Sequence, residues 1–165
     1  MKGLCILSWF ILFGALNPST LRAQTYAAVE VTIMIPEIMV LQPVTSPPLN
    51  FDFNSTATLD QGINITGTTI RYYSNKSYFV TIQTGSANFS GGSGTMPVSV
   101  LKFKNSQSSI YTDLKSTPQA LTGTAGAKLT RGTGTFGIDF RMDPGYQYPP
   151  ADNYSVTVVY TISNQ

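Results

Sequence analysis

Apolar and polar residues alternate along most of this chain with the period of two that belongs to strands, and the alternation is cleanest towards its two ends. In "TYAAVEVTIMIPEIMVLQP" the residues Val29, Val31, Ile33 and Ile35 fall on one face, with Glu30, Thr32 and Met34 on the other. Pro36 interrupts this ladder because it has no N–H to give. A second apolar stretch, Ile38 to Leu41, is closed by "QPVTSPP", a corner between strands, and is followed by "LNFDF", where Leu49, Phe51 and Phe53 share a face. The last such segment is "NYSVTVVYTI", whose inward set is Tyr154, Val156, Val158, Tyr160 and Ile162.

Between these ends, "GTTIRYYSNKSYFVTIQTG" reads as two strands, Thr68 to Tyr73 and Tyr78 to Thr84, joined by a turn at "SNKS". Tyr78, Val80 and Ile82 form the core face of the second. "SANFSGGSGT" is too rich in Gly and Ser for a strand and is expected to be a mobile loop. In "MPVSVLKFK" Leu101 and Phe103 point inward if Lys102 faces water, and in "TFGIDFRM" the apolar set is Phe136, Ile138 and Phe140. Asn105 to Gly134 has only short apolar islands, which predicts short edge strands and long loops. No segment has a convincing amphipathic helical pattern. The expected fold is therefore all-β: a single immunoglobulin-like β-sandwich of about seven to nine antiparallel strands.

The first residues break from this picture. "MKGLCILSWFILFGALNPSTLRAQ" has one Lys, an apolar run from Leu4 to Leu16, a break at Pro18 and a small residue, Ala23, which is the pattern of a secretory signal peptide cleaved after Ala23. The run is too short for a spanning helix, which needs about 20 residues, so no membrane span is expected in the mature chain. The expected organisation is a signal peptide, residues 1–23, and one β-sandwich domain, residues 24–165.

Removing the signal changes the composition. The single Cys and the single Trp both lie within it, and Lys plus Arg falls from 10 to 8 against 8 acidic residues, for a formal charge of zero. No basic stripe supports nucleic-acid binding. A secreted domain without cysteine is held by packing and sheet hydrogen bonds alone, which favours a bacterial export route over a disulfide-stapled scaffold.

Little catalytic chemistry remains. The chain has no His, which together with the absence of Cys from the mature chain excludes the usual triads, thiol nucleophiles and most zinc sites. Asp139 and Asp143 are four apart, about 13 Å along one face of a strand, too far for a tight acid/base pair; both are expected to be solvated strand-end acids. "DQGIN" lacks the later acidic ligands of a calcium loop and reads as a turn. The Lys in "GTAGAKLTRGTG" does not have the spacing of a phosphate-cradling loop. The chain is expected not to be an enzyme, and no catalytic residue, metal or cofactor is assigned. Five Asn-x-Ser/Thr tripeptides begin at Asn54, Asn64, Asn75, Asn88 and Asn153; they mark glycosylation acceptors only in a host with the right transferase, and these residue types also gather at turns. The "GYQYPP" pair, Tyr146 and Tyr148, could stack on a sugar.

"LNFDF", "YFVTIQTGSANF", Met96 and "PADNYSVTVVYTI" fall where landmarks lie in the spore coat protein U-like family, which includes pilin subunits assembled by periplasmic chaperones and outer-membrane ushers, and over most of the mature chain the sequence resembles that family. It departs from it in having no cysteine pair near the start and in Asn105 to Gly134. The resemblance implies an incomplete sandwich whose groove is filled by the alternating N-terminal strand of the next subunit. It also implies partners: copies of itself or related subunits, with a chaperone and an usher. Val29, Val31, Ile33 and Ile35 are the candidate donor residues. The alternative fate, favoured by a strand count high enough to close without a donor, is that they form the first strand of their own domain.

Two functional expectations follow. The first is a non-enzymatic structural or adhesive protein of the periplasm, cell surface or extracellular space, including a pilus or fibre subunit assembled by strand donation. The second is a carbohydrate-binding module using Tyr146 and Tyr148.

Overall fold

The computed structural model describes residues 30–45, 49–151 and 153–165; the predicted signal peptide and Val29 lie outside them. Ile35–Gln165 form one compact unit. In chain order it contains β1 (Met39–Thr45), α1 (Thr56–Gln61), β2 (Ile63–Ser74), β3 (Phe79–Thr84), β4 (Leu101–Asn105), β5 (Thr112–Asp113), β6 (Gln119–Thr122), β7 (Gly132–Met142) and β8 (Val158–Ser163). The strands make a five-stranded sheet in the order β1-β2-β7-β4-β5 and a three-stranded sheet in the order β6-β3-β8, and every neighbouring pair is antiparallel. This is the all-β sandwich that the alternation predicts.

The inward faces follow the period of two. Ile70 on β2, Leu101 and Phe103 on β4, and Ile138, Phe140 and Met142 on β7 meet Tyr78, Val80, Ile82 and Leu121 from the small-sheet side in one core. Val80, Ile82, Ile138 and Phe140 are completely buried. Apolar burial on this scale, about 25 cal/mol per Å2, is what holds a sandwich without disulfides. Tyr72 stacks between Tyr78, at 4.8 Å between ring centroids, and Phe136, at 6.4 Å. Directly across from Tyr72 on β7 is Gly134, where a β-carbon would stand 2.7 Å from the tyrosine oxygen.

Part of the predicted corner "QPVTSPP" is strand, since β1 runs on through Gln42–Thr45 and pairs there with β2, and the structure departs from the sequence pattern in four further places. "LNFDF" is not a strand: Leu49, Phe51 and Phe53 pack against the core, alternating with exposed Asn50 and Asp52, but the segment joins no ladder. A one-and-a-half-turn helix, α1, occupies "TATLDQ". It has no buried residue and is held by its caps: Ser55 and Thr58 form a reciprocal capping box, and Gly62 ends the helix at φ 70°. "DQGIN" is thus a helix end running into β2. Asp139 is not solvated; it is 8% exposed, with its carboxylate 3.4 Å from the Lys104 ammonium and accepting a hydrogen bond from Ser106 Oγ at 3.0 Å.

The last of these departures is the glycine-rich loop, which is packed. Ser90 and Ser155 exchange both backbone hydrogen bonds at 2.9 Å, and the ring of Tyr154 lies where a side chain on Gly92 would go, as Pro149 does for Gly94. The glycines are there because the backbone must pass against an aromatic ring. The Tyr154 hydroxyl, in turn, donates to the Pro149 carbonyl at 3.1 Å. The strand predicted from Tyr154 begins at Val158, preceded only by this bridge.

Candidate functional site

One long side of the sandwich is closed and the other is not. On the closed side the chain crosses from β5 to β6 through Leu114–Pro118. Leu114 is completely buried there, and the Gln119 side chain pins the crossover by accepting from Lys115 N–H at 2.8 Å and donating to the Asp113 carbonyl at 2.9 Å. On the open side, β1 is the edge of the large sheet and β8 the edge of the small one.

Register shows what that edge costs β8. Val158, Tyr160 and Ile162 stand directly across from Thr84, Ile82 and Val80, so they share the inward face. Yet Val80 and Ile82 are completely buried, while the three β8 residues are only partly buried. Burial still removes enough water from Tyr160 to push its hydroxyl up to about 12. On β1, Met39 and Leu41 are likewise only partly buried against the core, and Val40 and Val44, on the other face, are each 45% exposed. Among the described residues no further strand pairs with the outer edge of β1 or of β8, and the partly buried Met39, Leu41, Val158, Tyr160 and Ile162 line this seam.

The segment before β1 has the opposite character. Glu30–Ile38 carries no strand, and Val31, Ile33 and Ile35 are 75%, 76% and 76% exposed. An exposed alternating apolar row lacks the partner that its pattern is built for. At its root, the Asn75 side chain donates to the Pro36 carbonyl at 2.6 Å and accepts from Ile38 N–H at 2.9 Å. Asn75 is therefore committed to the backbone, although it begins one of the Asn-x-Ser/Thr tripeptides. A shallow hollow of about 470 Å3 beside it is lined by Ile35, Pro36, Glu37, Asn75, Lys76 and Arg131.

The tyrosine pair is split. Tyr146 is 63% exposed, whereas Tyr148 packs against the core. Loss of water contact and a hydrogen bond with Asp60 raise the Tyr146 hydroxyl above its usual range. Charges on β4, β5 and the end of β7 form a small lattice: Arg141 Nε donates to Asp143 at 2.9 Å, and Lys102 lies 3.8 Å from Asp143 and 3.9 Å from Asp113. Every acid there is paired with a base, which neutralises the groups that acid/base chemistry would need free. Among the described residues, no helix is long and apolar enough to cross a membrane. The alternation in the sequence marks the row itself, whereas the half-coverage of β8 follows from sheet order, which no local pattern carries.

No family model matches the chain, and no curated protein matches it. Among solved structures, it is similar to a chain from a chaperone-usher pilus, in work described as revealing the molecular basis of rod uncoiling; the two share 10% identity and a TM-score of 0.42, over 90% of this chain and all of that one. A likeness at that level fixes neither family nor function.

Proposed function

We propose that this chain is an exported, non-enzymatic structural subunit that assembles with copies of itself or related subunits into a fibre by strand exchange. In this reading the signal is cleaved after Ala23, and the row Val29, Val31, Ile33 and Ile35 of one molecule fills the seam between β1 and β8 of the next. The observation that carries it is the exposure of Val31, Ile33 and Ile35 on a chain whose own β8 edge is half-covered. The two deficits are complementary: the row needs a ladder and an apolar floor, and the seam has both. An uncovered seam of this kind gives a periplasmic chaperone something to cover and an usher something to exchange.

Deleting Gln24–Pro36 tests the reading. The expected product is a folded monomer by circular dichroism and light scattering that no longer assembles and that binds a synthetic peptide of residues 24–36. If the shortened domain unfolds or aggregates while the full chain is a stable monomer, the row is an internal first strand and the reading fails.

A further inference from the structure

We propose that Glu37 is a cross-sheet staple that sets the width of the seam at one end and fixes the root of the segment preceding it; what the staple serves rests on the strand-exchange reading above. Glu37 lies two residues before β1, the edge of the large sheet. One carboxylate oxygen accepts from Asn164 Nδ2 at 2.8 Å, and Asn164 directly follows β8, the edge of the small sheet. The other oxygen is paired with the Lys76 ammonium in the turn between β2 and β3. Asn164 is itself held, because its carbonyl accepts from Lys128 Nζ at 2.6 Å. One carboxylate thus joins the two edges that bound the seam.

Asn75 completes the arrangement. Its side-chain amide bonds the Pro36 carbonyl and the Ile38 N–H, and its own N–H donates to the Ile38 carbonyl at 3.1 Å. A single side chain therefore stands in for a neighbouring strand over residues 36–38, where Pro36 cannot continue a ladder. The closed side of the sandwich needs no such device, because the chain itself crosses there at Leu114–Pro118. On the other side, among the described residues, no segment of chain crosses between β1 and β8. A seam that is to accept a strand in register gains from having one end held at fixed spacing, since the entropy of aligning the edges is then lost on folding and not on binding.

The Lys76 and Glu37 side chains are 51% and 41% exposed, so each contact is weak and salt-sensitive. The test is hydrogen exchange on the full-length chain as a monomer, comparing wild type with Glu37→Ala, Asn164→Ala, the double variant, and Lys102→Ala as a distant control. Exchange in residues 37–42 and 158–164 is expected to quicken by about 2- to 5-fold in either single variant. The double variant is expected to match Glu37→Ala, because both contacts end on that carboxylate, and Lys102→Ala to leave both segments unchanged. Unchanged exchange in the two segments, additive losses in the double variant, or the same acceleration throughout the domain overturns the staple. This readout does not depend on assembly, so its failure is distinct from failure of the strand-exchange reading, which the deletion decides.

Discussion

Single side chains in this protein are tuned by what the sandwich leaves uncovered. Tyr160 sits on the inward face of an edge strand, and burial holds its hydroxyl at about 12, above the ordinary value of 10. Between those values the unfolded chain has lost a proton that the folded chain keeps, so stability falls as pH rises from about 10 to about 12. Tyr78 adds a loss of the same sign: burial first, and then its hydrogen bond and charge coupling with Tyr72, raise it further. Urea titrations at stepped alkaline pH should show Tyr160→Phe with a shallower decline than wild type. At Thr68, 4% exposed, Oγ1 is buried without a partner in the structure. Thr68→Val keeps the shape and removes the orphan hydroxyl, so a gain of about 1 kcal/mol in the urea midpoint analysis is expected. Gly92→Ala should lose about 1–3 kcal/mol, because the new methyl meets the Tyr154 ring and one of them must move.

At the level of elements, β3 and β8 make a controlled comparison, since they pair in register and share a face. Ile82 is covered by both sheets, whereas Ile162 on the edge is partly open. Ile82→Ala is expected to cost about 3–4 kcal/mol and Ile162→Ala roughly half as much in the monomer. If β8 accepts a strand, the cost at Ile162 should rise towards that at Ile82 in the assembled state, measured as denaturant resistance of the fibre. Leu114 belongs with Ile82: completely buried in the crossover that closes the opposite side, it should cost about 3–5 kcal/mol on truncation to Ala. A loss of under 1 kcal/mol there would mean that the crossover is not what closes that side.

For the whole molecule, pairing is antiparallel throughout, and four of the six strand pairs join strands that are not consecutive in the chain. β2 pairs with β7, β4 with β7, and β3 with β8, so most loops must close before contacts reward them. Stopped-flow refolding is expected in the millisecond-to-second range typical of β-sandwiches. The single cysteine is Cys5, within the predicted signal, so the unfolding midpoint of a protein of residues 24–165 should not respond to reductant. A slow-folding sandwich with an uncovered sheet edge and no covalent cross-link is exposed to wrong pairing while it folds.

The period of two was legible in the sequence because each inward residue of a half-buried strand must be apolar whatever its neighbours are. It located β3 with Val80 and Ile82 inward, β4 with Leu101 and Phe103 inward, β7 and β8, but it also predicted a strand over Val29 to Ile35, where residues 30–35 form none. It could not show that "LNFDF" joins no ladder, since burial alternates there without hydrogen bonding. Glycine content misled at Gly91 to Gly94, where freedom from a β-carbon serves close packing against Tyr154 and not mobility. Asp139 looked solvated because its partners, Lys104 and Ser106, reach it only once β4 is laid beside β7. The seam and the Glu37 staple belonged to tertiary structure alone: which strands end up at sheet edges depends on pairing between residues far apart in the chain, and a local pattern carries no information about its neighbour across the sheet.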